Sequence, residues 1–199
     1  MINKFKYLIL VITILIVGCS ASPSDHFYTS YPDINKNFRG DKDMCWAAVA
    51  ANMLNFAGYV PDANATFKEF KNIFDDGPNL VEVALQTYAD KSDYFYYGIS
   101  YMLIDVIVEQ LHLSNAVAIY IKSESNNIHV MSVYGYTYIS KTEIILHHVD
   151  SDDRKYILYD TNFKFDRIID YWVGNFNGTD IKLIGITVLK TNNKVRTAK

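Results

Sequence analysis

The chain has 199 residues, half of them hydrophobic and 21% charged, with 16 Tyr, 11 Phe and 2 Trp; that composition excludes a disordered chain and suits one globular domain. Nine Gly, four Pro and two Cys exclude a collagen-like repeat, a Pro-rich linker protein and a disulfide-stapled miniature fold. A formal charge of -3 offers no broad positive field to phosphates and argues against a nucleic-acid partner.

Lys4 and Lys6 precede an unbroken apolar run from Tyr7 to Val17, the pattern of an export signal and too short for a bilayer span. Leu15-Ile16-Val17-Gly18 before Cys19 resembles a bacterial lipoprotein signal, which implies cleavage before Cys19 and a lipid on its sulfur. Residues 1–18 are therefore read as a signal peptide, 19–32 as a lipid-anchored polar tether, and 33–199 as the folded domain. The expected location is the outside of a bacterial membrane, at the cell surface or outer membrane. With Cys19 lipidated, Cys45 is a lone exported thiol, which calls for an explanation other than a disulfide.

Within the domain, helical signals come first. Asp43 as N-cap and Gly58 past the end bracket an Ala-rich helix over 45–57. Thr66-Phe67-Lys68-Glu69 is a capping-box pattern for a second helix ending before Gly77-Pro78. Asn79 with Glu82 marks a third, to about Asp90, and Ser100 a fourth, with Met102, Leu103, Val106, Ile107, Gln110 and Leu111 on one face. Tyr94-Phe95-Tyr96-Tyr97 reads either as a partly buried strand or as a recognition surface. After Asn115 the pattern turns to β-branched and aromatic alternation, predicting strands over 116–122, 128–139, 143–149, 155–160 and 181–190. Helices followed by short strands predict an α+β domain with a helical N-terminal half and a mainly antiparallel sheet in the C-terminal half.

Cys45 opens the first helix, where unpaired N–H groups and the helix dipole favour a thiolate. A nucleophilic cysteine also needs an imidazole. His129 begins a strand and is the best placed of the five histidines; His26 and His112 read as surface residues, and His147-His148 must point to opposite faces. Asp150-Ser151-Asp152-Asp153 ends the next strand, where an acid could orient an imidazole or simply make a turn. Spacings for zinc or an EF-hand loop are missing, so no metal or organic cofactor is expected.

Taken in order, Lys36-Asn37-Phe38-Arg39-Gly40, Asp43-Met44-Cys45-Trp46-Ala47-Ala48, His129-Val130 with Gly135, and Val149-Asp150-Ser151-Asp152 resemble the IdeS (Mac) family of immunoglobulin-degrading cysteine proteases. The resemblance implies a papain-like fold and a lipid-anchored cysteine endopeptidase acting on a protein, with immunoglobulin G as the expected partner. It implies Cys45 as nucleophile, His129 as base, Asp150 as its orienting acid, Asp152 as a supporting acid, and Lys36 beside the oxyanion. The segment from Cys45 to His129 is shorter than in the streptococcal enzymes, and Trp46 stands where they carry a small residue. A non-catalytic surface lipoprotein that binds a host protein is the rival reading, and a transglutaminase-like acyl transfer a third.

Overall fold

The computed structural model describes residues 26–28, 43–74, 80–98, 101–151 and 157–192. Four helices, α1 (Cys45–Phe56), α2 (Ala63–Phe74), α3 (Val81–Leu85) and α4 (Leu103–His112), accompany eight strands: β1 (His26–Tyr28), β2 (Tyr94–Gly98), β3 (Ala116–Ser123), β4 (Ile128–Ser140), β5 (Glu143–Val149), β6 (Leu158–Asp166), β7 (Tyr171–Phe176) and β8 (Thr179–Leu189).

The expected papain-like α+β fold is not what forms. The molecule is mostly β: β3, β8, β7, β6, β5 and β4 pair antiparallel in that order, and β4 pairs with β5 on one side and β3 on the other, closing a six-stranded barrel. β1 and β2 are added outside the ring, on β4 and β8. Two long strands make closure possible. Along one edge β4 pairs first with β3 and then with β1, while its other edge holds β5. β8 keeps β3 on one edge and takes β7 and then β2 on the other. Register shifts at Val133/Gly135 and Tyr138/Ser140 in β4, and opposite Tyr120/Ile121 in β8, where Ile184 is the extra residue, mark bulges that bend the sheet round.

Every barrel strand sends apolar residues inward: Ile119, Met131, Leu146, Phe163, Trp172 and Leu183 belong to one buried cluster, joined by Leu103, Ile107 and Leu111 of α4. A second cluster covers the outer face of β3 and β4, where Ala118, Tyr120, Val130 and Tyr134 meet α1, α2 and α3. Strand alternation separates the two clusters, since successive side chains leave opposite faces.

Local signals were partly those expected. α1 ends in a Schellman motif: Gly58 has φ +82°, its N–H bonds the Asn55 carbonyl at 3.1 Å, and the Tyr59 N–H bonds the Leu54 carbonyl at 2.8 Å. Its N-cap is Met44 rather than Asp43, which sits at φ +65°. α2 starts four residues earlier than the capping-box pattern predicts, because the Asp62 carboxylate accepts the N–H groups of Asn64 and Ala65 at 2.8 and 3.1 Å. α3 is one short turn and more, β6 runs on to Asp166, and β1 and β7 were not anticipated. The Tyr94–Tyr97 run is a strand against β8. Residues 1–25 lie outside the described residues, and with them the export signal, Cys19 and most of the tether.

Candidate active site

α1 is built to be surrounded. Ala47, Ala48, Val49, Ala50, Ala51, Met53 and Leu54 are all fully buried, and the small side chains let the helix lie close to β4, β3, α2 and α3. Its burial pins its first residue, Cys45, at the edge of the core, partly buried and with a free thiol. The N–H groups of Ala47 and Ala48 both bond the Met44 carbonyl at 3.1 Å, so those of Cys45 and Trp46 have no helical acceptor. These N–H groups and the helix dipole favour negative charge at this end of α1.

His129 is the second residue of β4 and retains 21% exposure of its side chain. Antiparallel pairing of Ser132 with Val149 brings the end of β5 alongside the start of β4. Asp150, the residue after β5, then meets the imidazole: His129 Nε2 lies 2.8 Å from Asp150 Oδ1. An ionised carboxylate only accepts, so Nε2 carries the hydrogen and donates it. The thiol of Cys45 is the imidazole's second hydrogen-bonding partner, which leaves Nδ1 to exchange a proton with Sγ.

Burial pulls the His129 imidazolium down, but the hydrogen bonds and negative charge of Asp150 and Cys45 outweigh it and raise the group to about 10. Asp150 is 7% exposed at its side chain, which keeps the ion pair away from screening water.

The structure therefore brings Cys45, His129 and Asp150 together. Lys36, Asp152 and Cys19 lie outside the described residues. Ser151, next to Asp150, is buried, and among the described residues its hydroxyl has no hydrogen-bond partner. His147 and His148 leave β5 on opposite faces and neither joins the thiol. His147 bridges Thr137 Oγ1 at 2.9 Å and Asp160 Oδ1 at 2.5 Å. His148 Nε2 bonds Thr161 Oγ1 at 2.8 Å, and burial lowers its pKa to about 4. His112, expected at the surface, is exposed, but its Nε2 holds the Tyr136 hydroxyl at 2.7 Å. Strand alternation sorted the histidines by face; their partners Thr137, Asp160 and Thr161 come from β4 and β6, which no spacing within β5 could indicate. Among the described residues no group of three or more His, Cys, Asp or Glu side chains could hold a metal.

Compared with protein-family models and with curated protein sequences, the chain matches none.

Proposed function

We propose that this protein is a cysteine endopeptidase, lipid-anchored through Cys19 on the outside of a bacterial membrane, that cleaves a protein substrate through Cys45, His129 and Asp150. The observation that carries the reading is the single imidazole shared by a helix-terminal thiol and a buried carboxylate. Sγ passes its proton to His129 and attacks the scissile carbonyl carbon, and charge moves to the carbonyl oxygen as a tetrahedral adduct. The Cys45 N–H, at the open end of α1, is a donor for that oxyanion, with Lys36 proposed as the second. When the adduct collapses, the C–N bond breaks and the departing amine takes the proton from His129. A thioester remains on Cys45. Water then attacks it, giving its proton back to His129, and the acid product and free thiol are released. Asp150 holds the ring in one tautomer throughout and stabilises the imidazolium; Asp152 is proposed to support it.

Immunoglobulin G is the substrate proposed from the IdeS-like motifs, and the fold adds nothing to that choice. The test incubates the full chain, solubilised in detergent, and its Cys45→Ala variant with immunoglobulin G and with a mixed proteome under reducing conditions. New N-termini are then read by mass spectrometry. Cleavage abolished by Cys45→Ala is the expected result; a folded wild-type chain that cleaves neither substrate overturns the reading, and cleavage restricted to other proteins removes immunoglobulin alone.

A further inference from the structure

Turn tips ordinarily carry Gly, Asn, Asp, Ser or Pro, which make the bend and face water. The tip between β6 and β7 is different. Asp166 pairs with Tyr171, and between them run Arg167-Ile168-Ile169-Asp170. Ile168 is 95% exposed and Ile169 40%. Their neighbours make the bend: the Asp166 carboxylate accepts the Ile168 N–H at 2.8 Å, and Asp170 takes φ +57°. The two isoleucines serve neither the turn nor the core, and they hold apolar surface in water.

More apolar surface gathers at the same end of the barrel. Pairing of Glu143 with Lys164 sets the β4–β5 hairpin beside the β6–β7 hairpin, and the Phe165 N–H bonds the Thr142 carbonyl at 2.9 Å. Ile139, near the end of β4, is exposed, as are Tyr101 and Met102 just before α4. Tyr101 braces the group: its ring meets Phe165 edge-on with centroids 4.9 Å apart, and its hydroxyl donates to the Lys141 carbonyl at 3.3 Å. The charges of Lys141 and Arg167 are balanced by those of Asp166 and Asp170, so what this end offers a partner is apolar contact rather than a field.

Chain direction says what covers it. β1 runs antiparallel to β4, from His26 opposite Thr137 to Tyr28 opposite Gly135, so the chain enters the fold from the hairpin end. His26 follows Cys19 by seven residues, a reach of about 25 Å at most. Ile128 and Leu158 expose apolar surface at the other end, where β4 begins and β5 finishes. Nine residues of β4 lie between Thr137 and Ile128, about 30 Å of strand. A barrel standing on its Ile128 end would lift His26 farther from the bilayer than the tether reaches. Standing on the hairpins it brings His26 within reach.

We propose that the β4–β5 and β6–β7 hairpins dock on the phospholipid bilayer that holds the lipid of Cys19, with Ile168 inserted at the acyl-chain boundary and Tyr101, Lys141 and Arg167 at headgroup level. Ile139 is ten residues along β4 from His129, so the thiol site is carried about 30 Å out from the membrane, towards protein substrates. The docking face rests on the lipid-anchored part of the proposed function.

Tryptophan quenching tests it. The native indoles, Trp46 and Trp172, are 2% and 1% exposed and contribute a background shielded from lipid. The full chain, made with its signal segment, is reconstituted into phosphatidylcholine vesicles brominated on the acyl chains, and mass spectrometry reads whether Cys19 carries lipid. Ile168→Trp and Ile128→Trp each replace an exposed side chain, so neither strains the core. The bromines are expected to quench the added emission about threefold or more strongly in Ile168→Trp than in Ile128→Trp, alike at low and high salt because the contact is apolar. Equal or absent quenching in lipidated protein overturns the docking face and leaves the isoleucines to a protein partner; quenching abolished by high salt overturns it too. Selective quenching at position 168 without lipid on Cys19 keeps the docking face and sinks the lipid-anchored reading.

Discussion

His129 carries two opposed influences, and their balance sets the pH behaviour of the site. Burial disfavours its charge while Asp150 and Cys45 favour it, with a net rise to about 10. Peptide hydrolysis needs the proton on His129 for the departing amine, so kcat/KM is expected to fall as pH rises through about 10, whereas alkylation of the thiolate by iodoacetamide continues. The two pH profiles, measured on the same preparation, check this; parallel loss of both would assign the limb to unfolding. Asp150→Asn removes the carboxylate that raises the imidazolium and can present the wrong group to Nε2. It is expected to lower kcat/KM by on the order of 10² to 10⁴-fold and to move the alkaline limb to lower pH. A limb that stays in place would show that Asp150 does not act on His129 electrostatically.

At the scale of elements, β1 and β4 make a clear case. β1 is three residues long and pairs with β4 across Gly135, whose missing side chain is what allows the contact: a Cβ there would stand 2.3 Å from the Phe27 carbonyl oxygen and 3.2 Å from the Tyr28 Cα. Both are backbone atoms and cannot swing aside. Gly135→Ala is therefore expected to release β1 from the sheet without opening the barrel, which β3 and β5 close on either side of β4. Hydrogen exchange should accelerate at residues 26–28 and stay slow in β3; protection retained at 26–28 would contradict the steric argument. Element identities were largely legible. α1, α4, β3, β4 and β5 fall where Ala-rich, 3.6-residue and two-residue periods placed them. β7 was missed although a signal existed: Asn177-Gly178, both at positive φ, is a hairpin turn joining β7 to β8. β1 carried no period to read, since three residues define none and its stability comes from a neighbour far along the chain.

For the whole molecule, two histidines of opposite shift shape stability against pH. His148 is buried among Tyr159, Phe176 and Thr161, and burial lowers it to about 4. Its neutral form is compatible with the fold; stability from it is present above about pH 6.5 and is lost as pH falls towards 4, because the unfolded chain then binds the extra proton. The loss reaches on the order of 3 kcal/mol near pH 4, or roughly 6 to 12 °C in Tm for a chain of this size. His129 runs the other way: raised in the fold, it contributes fully below about pH 6.5 and its contribution fades as pH climbs towards 10. Thermal melts of wild type and His148→Gln, which keeps a nitrogen for Thr161, should diverge in slope below pH 6.5, with the variant flatter. Equal slopes would mean that another group governs acid unfolding.

The residues that could do chemistry were readable from the chain because their requirements are local. A cysteine at the first turn of a buried Ala-rich helix, a histidine at the head of an alternating strand and an aspartate just past the next strand each announce themselves by position. That Cys45, His129 and Asp150 meet depended on the register of β4 against β5 and on α1 lying over β3 and β4, contacts between residues some 20 to 85 positions apart that no local pattern encodes. The architecture was likewise a tertiary decision. Alternation says that a strand has an inner and an outer face, and it is equally compatible with an open sheet and a barrel. Here the bulges of β4 and β8 and the double partnering of the same two strands closed the ring, since curling the sheet buries Trp172, Phe163 and Leu146 in one interior that an open sheet would have left for other elements to cover.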